Sequence, residues 1–222
     1  MIKSIFYKEW IKSRWVLLVI AGVFTSVLAY SFMNISNNFR VSGVNEYWEL
    51  IVQKGISSMG YIKYLPLLSG MLLAIAQFVP EITNKRLKLT LHLPMAESKM
   101  ILFMLGFGII CLSMLFSVTY LTTTIGMNLY FCKEIACWNL SEIYPWLCGG
   151  IASYLLSVWI CLEPVWKQRV LKGFPGLCAI ALFYFDEMPG AYAPFIGYLI
   201  AFVVLSLAFV FHSLVRFKDG EQ

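Results

Sequence analysis

The feature that most constrains this chain is a run of 31 residues, 101–131, without a single charged side chain. A helix of about 20 apolar residues is long enough to span the hydrocarbon core of a bilayer. Of the 222 residues, 60% are hydrophobic and 13% are charged, against about 45–50% and about 25% in soluble domains. Both observations indicate a membrane protein.

Apolar runs recur along the chain and predict an all-α membrane protein with six transmembrane helices in a single domain, residues 1–222. The predicted spans are 15–33, 62–80, 100–131, 144–162, 174–190 and 195–215. Pro80 is expected to end the second span, because proline cannot donate the helical hydrogen bond. The fifth begins with only 12 apolar residues, 174–185, before a turn-rich acidic stretch, so we expect it to be broken or re-entrant.

The segments outside the spans show weaker patterns. In residues 1–14, Ile2, Phe6 and Trp10 recur every four residues while the lysines fall elsewhere around the wheel, which predicts an N-terminal amphipathic interfacial helix. Residues 44–52 repeat apolar side chains at helical spacing and predict a second interfacial helix on the opposite side. A loop with one helical turn is the alternative there. Residues 132–142 are predicted to form a short loop.

The basic residues set the predicted orientation. On alternate sides of the six spans, four of the 17 Lys and Arg residues (Arg40, Lys54, Lys63, Lys133) share one side and the other 13 share the side of both ends. Cytoplasmic loops of membrane proteins carry the excess of Lys and Arg. Both termini are therefore predicted to be cytoplasmic. The basic residues form no basic and aromatic patch, so nucleic acid is not an expected partner.

The sequence lacks the motifs of several kinds of catalysis. It contains no GxxxxGK[ST] phosphate loop, so ATP would have to be bound by a partner. Its two histidines, His92 and His212, have no neighbour at HExxH spacing, and no paired aspartates lie in the spans. Ion-coupled carriers usually keep an ionisable residue near the membrane midplane, and these spans have none there. We expect neither a metal nor a cofactor in this chain.

Two of the six cysteines, Cys132 and Cys137, lie in the predicted outer loop rather than in an apolar run. An oxidising compartment permits a disulfide between them. Two free thiols are the alternative.

The loop after the second span carries the most informative motif. It begins with Glu81 at the helix exit, continues with Lys85 and Arg86, and ends with Thr90-Leu91-His92-Leu93-Pro94 before the next span. This order of residues resembles the first cytoplasmic loop of ABC transporter type-2 permeases. The Lys-Glu-Trp start, the six spans, the cytoplasmic termini and the interrupted fifth span resemble the same family along nearly the whole chain. The chain departs from many members in having almost no outer domain.

The resemblance implies that this loop is the coupling segment, which lies across a separate ATPase. The residues it assigns to that contact are Glu81, Lys85, Arg86, Leu89, Thr90, Leu91, Leu93 and Pro94. Apolar leucines beside basic side chains supply both an anchor and directional charge for a small interface. A solvated basic loop that only obeys the charge rule is the alternative.

The resemblance also implies a function. The chain would be the permease subunit of an ATP-driven exporter in the bacterial cytoplasmic membrane, paired with itself or with a sister permease. ATP and magnesium would be bound by the partner ATPase subunits. A membrane-embedded enzyme and a non-transporting assembly factor are the alternatives from other classes.

Overall fold

A computed structural model of the protein describes residues 2–41, 43–55, 57–83, 97–163, 165–185 and 190–219. Throughout these ranges the chain is helical or in turns, with no strand. The α-helices are α1 Ile2–Val41, α2 Val44–Lys54, α3 Leu65–Thr83, α4 Glu97–Tyr130, α5 Lys133–Cys161, α6 Trp166–Ala181 and α7 Ile196–Asp219. Short 3-10 turns at Gly60–Ile62 and Ala193–Phe195 precede α3 and α7. The all-α prediction is confirmed.

Among the described residues, five segments are long and apolar enough to cross a membrane. They are Lys3–Val41, Gly60–Thr83, Met100–Tyr130, Lys133–Cys161 and Ala193–Ser213. Each overlaps one of the predicted spans, namely the first four and the sixth. Five such helices indicate a multi-pass membrane protein.

The predicted fifth span, 174–190, overlaps only the second half of α6, a helix of 16 residues. A helix of that length measures about 24 Å, less than the roughly 30 Å of the hydrocarbon core. Turns follow as far as Phe185, and residues 186–189 lie outside the described ranges. A sixth crossing at this point, and with it the cytoplasmic C-terminus, stays a prediction.

Helix α5 is the centre of the bundle. It packs most extensively against α3 and α7 and also contacts α4 and α6, while α1 packs against α3 and α4. Two apolar clusters follow one another along the bundle. Leu73, Phe78 and Leu105 belong to the one nearer the start of α1, and Ile51, Met127 and Trp146 belong to the other. The second includes side chains of α2, so the predicted helix at residues 44–52 is present and packed onto the bundle.

The start of the chain differs from the prediction. Residues 2–41 form one continuous helix, about 60 Å long at 1.5 Å per residue, so no separate interfacial helix precedes the first span. The first turns of this helix pack against the bundle on one side, since Ile5 contacts the core and Phe6 meets Phe107 of α4 edge to face at 5.7 Å, whereas Trp10 is exposed. The helix predicted from the amphipathic pattern is therefore present as the first part of α1.

The end of the second span also needs correction. Pro80 lies inside α3, which continues to Thr83. A proline removes one hydrogen bond of the helix, but side-chain contacts still stabilise the last turn of α3. Thr83 Oγ1 donates to Val79 O (2.9 Å), and Glu81 is fixed to α1 by lysines.

The predicted loop at 132–142 is helical from Lys133 onward. Glu134 lies in the first turn of α5, where a negative charge favours the helix dipole. Ala136, Leu140 and Ile143 are buried on one face. This stretch is polar in composition but packs as the first part of α5.

The position of the C-terminus gives a direct test of the six-span arrangement. We expect reporters at residue 1, residue 84, Gln168 and residue 222 to be cytoplasmic, and reporters near Asn38, Glu134 and residue 189 to be external. Protease or alkylation accessibility in intact cells measures each position. An external residue 222 would remove the crossing at α6 and leave five spans.

Candidate functional site: a charge cluster between α1 and α3

Four charged side chains meet where the beginning of α1 packs against the end of α3. Glu81 Oε1 lies 2.9 Å from Lys8 Nζ and 3.2 Å from Lys12 Nζ. Lys12 Nζ is also 3.2 Å from Glu9 Oε2, so it bridges the two carboxylates. We call Lys8, Glu9, Lys12 and Glu81 the α1–α3 cluster.

The sequence of α1 places three of these side chains on one side of the helix. Positions 8, 9 and 12 are one, three or four residues apart, and residues three or four apart are neighbours on a helix surface. Ser13 supports the same turn, since its hydroxyl donates to Glu9 O (2.7 Å). The cluster is therefore built from one turn of α1 and the last turn of α3, 69 residues away in sequence.

Both carboxylates are almost completely buried, with 0% exposure for Glu9 and 1% for Glu81. Two lysines and two glutamates leave the cluster neutral, which is how buried charges are normally tolerated. Removing one member would leave a buried charge without compensation, which typically costs about 3–5 kcal/mol for a fully buried pair. Lys8 is partly exposed, at 39% of its side chain, so its own contribution is expected to be smaller.

Of the residues assigned to the coupling segment, only Glu81 lies in the described ranges. Its carboxylate is buried inside the chain, so a role in coupling would be exerted through Lys8 and Lys12 rather than by touching a partner. The other assigned residues lie outside the described residues: Lys85, Arg86, Leu89, Thr90, Leu91, Leu93 and Pro94. Their contact with an ATPase stays a prediction.

A second polar cluster joins the ends of α5 and α7 to α6. The buried Glu163 accepts hydrogen bonds from Lys172 Nζ and from Ser213 Oγ (3.1 Å). Arg169 donates to Cys161 O (3.2 Å) and Glu163 O (2.8 Å), which satisfies carbonyls at the end of α5. This cluster holds α6 against its neighbours at the basic segment 163–172.

A neutral hydrogen-bond chain crosses the core between α3, α4 and α5. Tyr154 Oη donates to Gln77 Oε1 (2.7 Å), and Gln77 Nε2 donates to Met104 O (2.7 Å). A side chain at Gly108 would overlap both polar groups, so glycine provides the room for this contact. Hydrogen bonds between membrane helices contribute about 0.6–2 kcal/mol each. These two hydrogen bonds therefore stabilise the packing of α3, α4 and α5.

At the opposite end of α5, two buried polar residues hold the segment before α3. Ser57 Oγ donates to Glu142 Oε2 (2.6 Å), and Ser58 Oγ donates to Asn139 Oδ1 (3.4 Å). The polar composition of residues 132–142 predicts a loop. In the structure, Asn139 and Glu142 instead bind the segment before α3.

Cys132 and Cys137 are both exposed and carry free thiols. Cys132 stands at the N-cap position of α5, without a capping hydrogen bond from its side chain. Cys137 lies five positions further on, which is about 7.5 Å along the helix axis. A disulfide needs Cα atoms closer than about 7 Å. The bridge stays a prediction, and it would require the first turn of α5 to open.

Within the residues that the structure describes, no group of His, Cys, Asp and Glu could hold a metal ion. The buried acids in those residues are engaged by lysines or hydroxyls, as at Glu81, Glu163 and Glu142.

The sequence predicts no site role for Glu9, which enters only through the Lys-Glu-Trp start, or for Glu163 in the basic segment 163–172. One signal for Glu9 was available. Glu9 falls at helical spacing between the apolar residues Ile5 and Val16, so it lies on an apolar stripe of α1. A carboxylate on such a stripe needs a cationic partner from another element. Glu163 has no comparable pattern around it.

Comparison with known proteins identifies no family for this chain. No protein-family model matches the sequence, and neither the curated proteins nor the solved structures give a significant match.

Proposed function

We propose that this chain is the membrane-spanning permease subunit of an ATP-driven exporter of the ABC type-2 kind, in the bacterial cytoplasmic membrane. It works as a dimer, with a second copy or a sister permease, and two cytoplasmic ATPase subunits bind ATP and magnesium. Binding and hydrolysis of ATP rock the helices and move a substrate outward.

The α1–α3 cluster is the observation that carries the proposal. Glu81 lies two residues before α3 ends at Thr83, and the proposed coupling segment follows at once. A force applied to that segment reaches the last turn of α3 first. Because Glu81 is buried and held by Lys8 and Lys12, the same displacement passes to the first turns of α1. A solvated loop that served only as a topology signal would not need a buried four-charge link at its base.

Two further observations support a passive bundle moved from outside. Helix α5 contacts α3, α4, α6 and α7, so a displacement of α3 is transmitted to most of the bundle. The polar contact in the core, between Gln77 and Tyr154, is neutral, and proton- or sodium-coupled carriers usually use charged groups there.

Copurification tests the assignment. The full chain, tagged and extracted gently from its native membrane, is expected to bring down a cytoplasmic ATPase whose hydrolysis rate changes when the permease is present. A purified chain that shows a lipid-dependent reaction with no ATPase bound would instead support the membrane-enzyme alternative.

Glu81→Gln separates docking from transmission. It keeps the size of the side chain but removes the charge that holds Lys8 and Lys12, so we expect bound ATPase to remain while transport and permease-dependent ATPase stimulation fall about tenfold or more. Glu49→Gln, at an exposed acid of α2, is the matched control and should change neither. Normal transport by Glu81→Gln at wild-type membrane levels would remove the cluster from the coupling path.

A further inference from the structure

A long groove runs between α1 and α4 on the outside of the bundle, with a volume of about 550 Å³. One wall extends along α1 from Trp10 to Phe32 and the other along α4 from Cys111 to Thr122. Its rim carries large exposed apolar side chains, among them Leu18 and Met114.

The groove offers hydrocarbon rather than hydrogen bonds. Three of its lining residues are threonines, and each donates its hydroxyl proton to a carbonyl of its own helix at 2.9 Å: Thr25 to Gly22, Thr119 to Leu115 and Thr122 to Val118. Apart from Trp10, Arg14 and Cys111, the described lining residues offer a polar ligand no free hydrogen-bond donor. A hydrocarbon chain forms no hydrogen bonds and so pays no free-energy cost for unsatisfied polar groups in this groove.

One end of the groove is different. Arg14 is the one charged residue among the described residues that line it, and it is exposed, with its guanidinium 5.6 Å from the centre of the Trp15 ring. Trp10 lies beside it in the lining. Arginine and tryptophan together are typical of the level of lipid headgroups. From Arg14 to Phe32 the helix rises about 27 Å, close to the roughly 30 Å of the hydrocarbon core.

The arrangement of the lining favours a lipid as the occupant. Apolar side chains line the groove from Leu17 to Phe32, and the single cation of the described lining stands at one end. An acyl chain with an anionic headgroup has the same order of apolar and charged parts.

We propose that this groove is a binding site for an anionic phospholipid of the leaflet on the side of the N-terminus. One acyl chain lies between α1 and α4, and the phosphate is bound by the guanidinium of Arg14, which favours bidentate contact with phosphate oxygens. The proposal depends on the membrane location of the chain and not on its role in export.

Native mass spectrometry of the delipidated full chain tests this, using dioleoyl-phosphatidylglycerol and dioleoyl-phosphatidylcholine, which share the same acyl chains. We expect the first adduct of the anionic lipid to bind about tenfold more tightly, since a charge-assisted contact contributes that much. Arg14→Gln should abolish the preference. Arg40→Gln, an exposed arginine at the other end of α1, should keep it. Equal affinities in the wild type, or a preference that survives Arg14→Gln, would overturn the proposal.

A second pair of variants tests the groove itself. Ala21→Trp fills it, because Ala21 lines it, and should remove the tight adduct of either lipid. Ala201→Trp, at an exposed position of α7, should not. Bound lipid should also slow alkylation of Cys111, which lines the groove, while Cys178, exposed on α6, stays equally reactive. Unchanged lipid binding in Ala21→Trp would reject the site, and if that variant instead lost a dimer, the groove would belong to a second copy.

Discussion

Replacing both Leu91 and Leu93 by Asp is expected to abolish association with the ATPase and transport, at normal levels of the chain in the membrane. Both leucines belong to the proposed coupling segment and lie outside every predicted span. Two carboxylates placed against an apolar pocket of a partner would be buried without compensation. Such changes typically cost several kcal/mol at an interface, and about 4 kcal/mol lowers affinity by roughly a thousandfold.

The control for this pair is His92→Asp, which introduces a carboxylate between the two leucines at a position that the resemblance does not assign to the contact. It should leave most of the association intact. Lys85→Gln with Arg86→Gln should mainly slow association and weaken its dependence on salt, since rim charges act on encounter rates. The measurements are ATPase copurification and permease-stimulated hydrolysis. Full association and stimulation in the Leu91 and Leu93 double variant would leave this loop as a solvated topology signal.

Comparing the Leu91 and Leu93 double variant with Glu81→Gln distinguishes binding of the ATPase from transmission of its motion. Leu91→Asp with Leu93→Asp is expected to remove the partner, whereas Glu81→Gln is expected to retain it without transmission. The difference follows from burial, because Glu81 is enclosed by the chain's own lysines. Loss of association in both variants would mean that the α1–α3 cluster supports the shape of the segment rather than carrying motion through it.

The helices themselves could be predicted because their signal is local. A charge-free run such as 101–131 must place its backbone hydrogen bonds inside a helix if it lies in a bilayer, and α4 covers nearly all of it. The element boundaries were less accurate. At 132–142 the polar residues indicated a loop, but Asn139 and Glu142 are buried against Ser58 and Ser57. Such partners, more than 80 residues away, leave no trace in the local pattern.

The start of the chain shows a different limit. Ile2, Phe6 and Trp10 predict an amphipathic helix, and helical periodicity is the same whether the apolar face meets lipid or another helix. In the structure Phe6 packs against Phe107 of α4, and Trp10 is exposed. The presence of Glu9 on the buried side distinguishes the two cases, because a carboxylate facing lipid has no partner, whereas here it has Lys12.

The candidate site could be predicted in one part and not in the other. The motif after the second span predicts a site role for Glu81 from the sequence alone. That Lys8 and Lys12 hold it depends on how α1 crosses α3, which is a tertiary property. The groove between α1 and α4 likewise depends on how these two helices pack. It cannot be predicted from the sequence of either helix alone.

The close approach of α3 and α5 leads to the second prediction with a large effect: Gly70→Ala should strongly destabilise the bundle. These helices make the most extensive contact in the structure, and a Cβ added at Gly70 would overlap Gly150 O and Ser153 Oγ. The backbone oxygen cannot move without its helix. Ser153 Oγ also donates across this interface to Leu67 O (3.0 Å). Small residues are what allow membrane helices to approach so closely.

We expect Gly70→Ala to cost about 1–3 kcal/mol through overpacking, with a further fraction of a kcal/mol if the Ser153 hydrogen bond is lost. Thermal unfolding of the purified chain in one detergent measures the loss. Gly106→Ala is the matched control, since Gly106 also lies inside a helix but has nothing within 4 Å of an added Cβ. Alanine has the higher helix propensity by about 1 kcal/mol, so the control should be as stable as the wild type or more stable. Equal destabilisation by the two variants would show that backbone effects, and not the contact between α3 and α5, decide the result.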